Sequence, residues 1–304
     1  MPHLSIALLG SFQVTLDGKP VTGFDSAKAR ALLAFLAAES GRAHPREALA
    51  ELLWPERPPG TALADLRHAL ANLRKAIGDA TAQPPFLIVT QATLQFNLAS
   101  DTGVDLVGFM NHLQKIESAP PAACQAALAL RQGPFLSGFT LPGSPQFEEW
   151  VVVTAEQVNH LAGQALTRLA NACVDRGDFA QAANWTRQQL PLEPWNEEVH
   201  QQVIWQLAMA GQSAAALHHY EICRRMLAKE LGLEPQPATQ ALVDRIRRGE
   251  QSLASPTGHS PKTPPPAAPT TRPGTVQLPP RPPVFLGRAA ELEQVAARLA
   301  DPDC

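Results

Sequence analysis

Residues 61–77 carry a polar strip whose side chains could read a nucleic acid. His68 and Asn72 stand one helical turn apart at the centre of this strip, and the small residues Ala64 and Ala71 lie beside them. Amides and imidazoles can pair with base edges in a major groove, and small side chains allow the helix to approach closely. We therefore take His68, Asn72, Ala64 and Ala71 as candidate base contacts.

Cations flank the same strip. Arg67, Arg74 and Lys75 lie at its edge and its C-terminal end, where the phosphates of a bound duplex would run. A second set of cations opens the two preceding predicted helices, where it can contact phosphate or simply face solvent: Lys28, Arg30 and Arg46. Taken alone, the polar strip also fits an ordinary solvated helix face.

The elements around this stretch favour the nucleic-acid interpretation. Leu66, Leu70, Leu73 and Ile77 form an apolar stripe on the opposite side, which predicts an amphipathic helix. Short β-rich runs precede it at residues 4–9 and 11–16, with a hairpin turn at 17–18 and a third strand near 21; helices follow at 27–39 and 45–53, and a hairpin at 86–90 and 94–98. Three strands, three helices and a hairpin predict a winged helix whose third helix faces DNA.

The same region resembles a known family. The runs LLGSFQVTLDGKPV, AKARALLAFLA, REALAELLWP and DLRHALANLRKAIGD resemble the OmpR-type winged helix of bacterial activators of the Streptomyces antibiotic regulatory protein class. The resemblance covers residues 4–98. One departure is the wing tip at residues 90–93, which carries no Arg or Lys, so it does not support a cationic contact by the wing with the minor groove.

Residues 101–250 are predicted to be almost entirely helical, with early helices at 105–117, 121–131 and 145–176. The run from Gly177 is echoed from Gly211, at the period typical of tetratricopeptide repeats. The phrase AAALHHYEICRRMLAKELGLEPQPATQAL, with PFLSGF and FEEW upstream, resembles the bacterial transcriptional activator domain. The resemblance implies a helical solenoid that binds other surfaces and has no catalytic apparatus.

The remaining residues are predicted to form a linker and the start of another module. Residues 251–283 hold eleven of the 29 prolines, a composition typical of a disordered linker. In residues 284–304, the FLGR motif followed by Glu291-Leu292 resembles the entry motif of signal-transduction ATPases with numerous domains. We therefore expect this chain to be the N-terminal part of a larger regulator, with a phosphate-binding loop beyond Cys304.

Charge and composition bound the function further. The net charge is −3; residues 1–100 have nine basic and eight acidic side chains, so DNA binding would need a local cluster and repeated half-sites bound by an oligomer. The four cysteines are scattered, and no leader or membrane span is predicted, which indicates a cytoplasmic, nucleoid-associated protein. We expect no cofactor and no metal. The five tryptophans are predicted to anchor helices, and His218-His219 to lie on a solvated or packed helix face.

These observations predict an α+β winged helix-turn-helix domain (1–100), an all-α tetratricopeptide-like domain (101–250) and a disordered proline-rich tail. The favoured function is a sequence-specific DNA-binding transcriptional regulator that reads promoter repeats as a homo-oligomer. By its resemblance it is an activator, with RNA polymerase as a partner, and not an enzyme. Two alternatives stay open: a protein-binding scaffold that uses the solenoid, or the regulatory N-terminal part of a signal-transduction ATPase.

Overall fold

The structure, a computed structural model, describes residues 2–250, 253–256 and 258. Its N-terminal part has two small sheets and three helices. The strands are β1 (Leu4–Ala7), β2 (Gln13–Leu16), β3 (Lys19–Pro20), β4 (His44–Pro45), β5 (Leu87–Val89), β6 (Thr93–Phe96) and β7 (Thr102–Val104). The helices are α1 (Ala27–Ala38), α2 (Arg46–Leu53) and α3 (Pro59–Ala76).

The first sheet has the order β3-β2-β1-β7, so it contains four strands where the sequence predicted three. Asp17 and Gly18 both have positive φ angles, 51° and 74°, which is the geometry of the tight hairpin turn predicted between β2 and β3. β3 ends at Pro20, before the strand predicted near Val21, and lies at the sheet edge where a proline interrupts no ladder. β7 pairs in parallel with β1, although the two strands lie at opposite ends of this part of the sequence.

The second sheet is the wing. β5 and β6 form the predicted hairpin with shorter bounds, pairing Leu87 with Phe96. β4 adds a third strand, in which His44 lies opposite Leu94. His44 is buried, and its Nε2 lies 3.1 Å from the Glu39 carbonyl oxygen, so its role is structural. The wing is therefore attached to the turn that precedes α2.

Helix α3 begins two residues before the predicted helix. Pro59 occupies its first turn, where the missing N–H has no partner to lose. Ile77 caps its C-terminus, and Gly78 follows with a φ of 67°, a conformation that glycine adopts easily. The apolar stripe predicted from the sequence is buried: Leu66, Leu70, Leu73 and Ile77 are all less than 7% exposed.

The rest of the described chain is helical. A single 3-10 turn lies at Ile116–Ser118, and the helices are α4 (Asp105–Leu113), α5 (Pro121–Leu130), α6 (Pro145–Asp175), α7 (Phe179–Arg187), α8 (Glu197–Met209), α9 (Ser213–Glu230) and α10 (Pro237–Arg247). Gly177 and Gly211 each have a φ of 75° and join α6 to α7 and α8 to α9. Ala182 and Ala216 are fully buried where these helices meet, as the repeat predicted.

Two hydrophobic cores hold these elements together, and α6 belongs to both. The first core contains residues from Leu4 to Leu169, and the second contains residues from Cys173 to Leu253. Trp150 of α6 packs against Phe35 of α1, with ring centroids 5.0 Å apart, and donates from Nε1 to Glu39. The first core therefore continues across residue 100, where the sequence predicted a domain boundary.

The prediction that the tryptophans anchor helices holds for some of them, and the predictions for the C-terminal residues lie outside the described part of the chain. Trp205 is 2% exposed and Trp150 is packed, as helix anchors should be. Trp195 was predicted wrongly, since 57% of it is exposed on the loop between α7 and α8. The linker at 251–283 and the module at 284–304 lie outside the described residues, apart from 253–256 and 258.

Candidate nucleic-acid interface

The outer face of α3 is the predicted reading surface, and the structure leaves most of it exposed. Arg67, His68, Ala71 and Lys75 are exposed, and Ala64 is half-buried. Within the described residues, Arg67, His68 and Lys75 make no hydrogen bond or ion pair through their side chains. A helix face with two unpaired cations and an accessible imidazole retains its donors for an external partner.

Asn72 differs from its neighbours on this face. Its side-chain oxygen accepts from the Asp25 N–H at 3.0 Å, and its nitrogen donates to the Gly23 carbonyl at 3.2 Å. Asn72 therefore joins α3 to the loop at residues 21–25. The base contact predicted for it stays a prediction, and it would have to use the remaining N–H and lone pair of the amide.

Arg74 is also engaged within the protein. Its Nε donates to the Asp79 carboxylate at 2.7 Å, and that carboxylate also accepts from the Leu87 N–H at 3.0 Å. The Asp79 side chain is fully buried, whereas 45% of the Arg74 side chain is exposed. Arg74 thus neutralises a buried carboxylate that ties the end of α3 to the wing, and only its outer edge faces solvent.

Lys28 of α1 contacts the end of α2 and the residue before α6. Its ammonium donates to the Leu53 carbonyl and to the Ser144 hydroxyl, and it sits 5.8 Å from the centre of the Trp54 ring. Burial lowers the pKa of Lys28, and Glu56 opposes that effect. Because Ser144 is the N-cap residue of α6, this ammonium connects α2 to α6, and the phosphate contact predicted for Lys28 stays a prediction.

Arg30 and Arg46 also have intramolecular neighbours. The Arg30 guanidinium lies 5.3 Å from the Phe12 ring and 5.2 Å from the Phe139 ring. Arg46 donates twice to the Thr90 carbonyl, from Nε at 3.1 Å and Nη2 at 2.7 Å, and so supports the wing turn. The phosphate contacts predicted for Lys28, Arg30 and Arg46 would therefore require breaking or sharing these contacts.

The sequence did not single out Arg57 and Asp65, which lie beside this face. Arg57 follows α2, and its Nε is 3.7 Å from the Asp65 carboxylate on α3. Both line a cavity of about 280 Å³ next to His68 and Asn72. The sequence could have indicated this pair, because Arg57 and Asp65 lie on either side of the Pro-Pro-Gly turn. However, ion pairs with that spacing also occur on ordinary protein surfaces.

The helical part has its own buried polar cluster. His200 Nδ1 lies 3.1 Å from His219 Nε2, and His200 Nε2 lies 3.1 Å from the Pro194 carbonyl. The carbonyl requires a donor, so neutral His200 carries its proton on Nε2 and accepts from His219. Burial, followed by the neighbouring His200, lowers the pKa of His219 to about 4. His219 is thus packed, while His218 is exposed.

The described part of the chain also bears on metal ions, membranes and thiols. No group of three or more His, Cys, Asp or Glu side chains there is arranged to hold a metal ion. None of the helices formed by the residues described has the length and apolar character needed to cross a bilayer. Cys124, Cys173 and Cys223 are buried thiols.

Comparison with known proteins finds a matching domain family and similar regulatory proteins. Residues 111–247 match the bacterial transcriptional activator domain. The chain is 29% identical over 301 residues to the regulatory protein AfsR of Streptomyces coelicolor, covering 98% of this chain and 29% of AfsR. It is 30% identical over 256 residues to the transcriptional regulatory protein EmbR of Mycobacterium tuberculosis, covering 81% of this chain and 64% of EmbR.

A solved structure is also similar. The structure of Mycobacterium tuberculosis EmbR in complex with a low-affinity phosphopeptide aligns with a TM-score of 0.61 and 27% identity, covering 85% of this chain and 68% of that one. The match to the bacterial transcriptional activator domain and the similarity to AfsR and EmbR support the resemblance to transcriptional activators of the Streptomyces antibiotic regulatory protein type. The chain spans less than a third of AfsR and under two thirds of EmbR, and both relatives are named as regulatory proteins.

Proposed function

We propose that this chain binds DNA sequence-specifically and presents the outer face of α3 to the major groove. The observation that carries the proposal is the set of unpaired, exposed side chains on that face: Arg67, His68 and Lys75. Cations without an intramolecular partner can replace the counterions of a duplex without first breaking a protein contact. The proposal therefore rests on α3 and not on the domain's overall charge.

The roles divide by position on the helix. His68 reads a base edge, and Ala64 and Ala71 allow the helix to settle in the groove, where either methyl group can touch a thymine methyl. Arg67 and Lys75 contact phosphates along the groove walls. The exposed edge of Arg74 can add a phosphate contact while its Nε stays on Asp79. Asn72 both fixes the loop at residues 21–25 and offers its remaining amide capacity to a base.

A single short helix reads only a few base pairs, so we propose that the protein binds as a homo-oligomer to promoter repeats. Half-sites about 10–10.5 base pairs apart place two such helices on the same side of the duplex. The match of residues 111–247 to the bacterial transcriptional activator domain supports RNA polymerase as the partner of the DNA-bound protein, and the helical domain as the surface it contacts. A regulator of this kind would be located with the nucleoid in the cytoplasm.

One observation favours the scaffold alternative. A groove of about 390 Å³ runs between α6 and α8 and is lined by several acidic and amide side chains, including Glu117, Glu193 and Glu198. Such a groove suits a basic peptide segment. A pure scaffold would use this groove and would not need the unpaired cations of α3.

Selection from a pool of randomised duplexes with the full chain tests the proposal. We expect enrichment of a repeated motif with half-sites one turn apart, and binding that weakens steeply as salt is raised. His68→Ala should lower the preference for one base position in each half-site, whereas the matched exposed variant Gln212→Ala, at the start of α9, should leave the motif unchanged. Failure to enrich any motif would contradict sequence-specific binding and favour the scaffold.

A further inference from the structure

A cavity of about 500 Å³ opens beside the first sheet, away from the outer face of α3. Phe12 comes directly before β2, β2 supplies Val14, the loop after β3 supplies Val21 and Phe24, and α1 supplies Arg30. The remaining lining residues are uncharged, so Arg30 is the only charged residue among those that line the cavity. A pocket of this size that combines apolar side chains, the polar groups of Gln13, Thr15 and Thr22, and one cation at its wall has the character of a small-molecule site.

The Arg30 guanidinium is held in position but has no anionic partner. Phe12 and Phe139 each lie near it, with distances of 5.3 and 5.2 Å from their ring centres. In the described part of the chain, its side chain makes no hydrogen bond and no ion pair. Contacts with aromatic faces leave the N–H groups in the guanidinium plane available, and their fork matches a carboxylate in two parallel hydrogen bonds.

We propose that this cavity is a binding site for a small carboxylic acid with an apolar body. The carboxylate would pair with Arg30, and the apolar body would lie against Phe12, Val14, Val21 and Phe24. Because two aromatic rings already restrict the guanidinium, little side-chain freedom remains to be lost on binding. Val21 and Phe24 are only half-buried and so keep apolar surface for this body, whereas Phe12 and Val14 form the more deeply buried part of the wall.

The cavity also adjoins the reading helix through one loop. Val21, Thr22 and Phe24 form part of its wall. Asn72 of α3 binds the backbone of Gly23 and Asp25 in that same loop. A bound acid would therefore contact a segment that is hydrogen-bonded to the centre of the outer face of α3. This step can be tested without DNA, so its failure is distinguishable from failure of the proposed DNA binding.

The test uses 3-(4-fluorophenyl)propionate and its uncharged amide as probes, with fluorine NMR titration of the full chain. We expect the acid to bind about tenfold or more tightly than the amide, the difference that one charge-assisted pair supplies. Arg30→Met should bind the acid as weakly as the amide, and Arg30→Lys should fall between. Arg225→Met, which removes an exposed arginine of α9, should keep the full preference.

A second measurement locates the site in the unmodified protein. Saturation with the acid should shift the backbone amide signals of residues 22–25 and the side-chain amide of Asn72 in a ¹H–¹⁵N spectrum, while the signals of α9 stay in place. An Arg30→Met chain that keeps the preference for the acid would overturn the proposal. No binding of the acid at about 10 mM, or shifts confined to other parts of the chain, would overturn it as well.

Discussion

The cations of the outer face of α3 and those that open α1 and α2 belong to the same domain but differ in what surrounds them. Arg67 and Lys75 on α3 are exposed and, within the described chain, unpaired. Lys28 and Arg46 donate to backbone carbonyls, and Arg30 lies against two phenyl rings. The difference teaches that residue type and helix position do not distinguish cations that contact other parts of the protein from cations that are unpaired within its described part.

Arg74 lies between these two groups and should give the largest effect. Arg74→Ala leaves the buried Asp79 carboxylate without its cation, and we expect the free energy of unfolding to fall by about 2–3 kcal/mol, a value reduced for the exposed half of the arginine. Urea denaturation followed by circular dichroism measures it. Arg67→Ala, on the same helix, should stay within about 0.5 kcal/mol of the parent chain. Equal losses in the two variants would remove the distinction between engaged and free cations.

His68 tests the reading role of the outer face of α3. His68→Ala should cost about 1–3 kcal/mol at the preferred duplex and change binding to a scrambled duplex little, because a base contact carries sequence information. Fluorescence anisotropy on both duplexes measures it. Lys75→Ala is the matched comparison, since loss of a phosphate contact should weaken both complexes alike. An equal loss on both duplexes for His68→Ala would make it a phosphate contact or a structural residue.

Lys28 tests the cations that open α1 and α2 and that contact other parts of the protein. Lys28→Met removes the donor to Leu53 and Ser144 but keeps most of the apolar stem, and we expect a loss of about 1 kcal/mol in unfolding free energy with DNA affinity unchanged. Lys19→Met, at the exposed sheet edge, is the control that changes the same charge. If Lys28→Met weakened DNA binding while the stability stayed constant, the predicted phosphate contact would be restored.

Local pattern was enough to predict α3 and its buried stripe, because a helix of period 3.6 is encoded within its own residues. The hairpin at Asp17-Gly18 and the repeat glycines were predictable for the same reason. The partners of the candidate site residues were not. Lys28 contacts Ser144, 116 positions away, and Asn72 contacts Asp25, 47 positions away, so each side chain's role depends on the tertiary fold.

The extent of the first core also depends on long-range contacts that the local sequence pattern does not predict. Composition and resemblance divide the chain near residue 100, but β7 comes after that point and completes the first sheet beside β1. Its three residues include Gly103, which gives little β-propensity to recognise. The Trp150 contact with Phe35 likewise joins helices on either side of the predicted boundary. Contacts between segments that are distant in the sequence determine how far the first core extends. The hydrophobic periodicity of the sequence does not indicate such contacts.

Salt dependence of DNA binding tests the central claim most directly, because each phosphate contact contributes to the slope of log affinity against log salt. The comparison uses the double variants Arg67→Met/Lys75→Met and Lys28→Met/Arg30→Met, each with its fold checked by circular dichroism. Loss of the two free cations should reduce the magnitude of the slope by about 2, on both preferred and scrambled duplexes. Loss of the two engaged cations should leave the slope unchanged. The opposite outcome, an unchanged slope without Arg67 and Lys75 and a smaller slope without Lys28 and Arg30, would contradict the account.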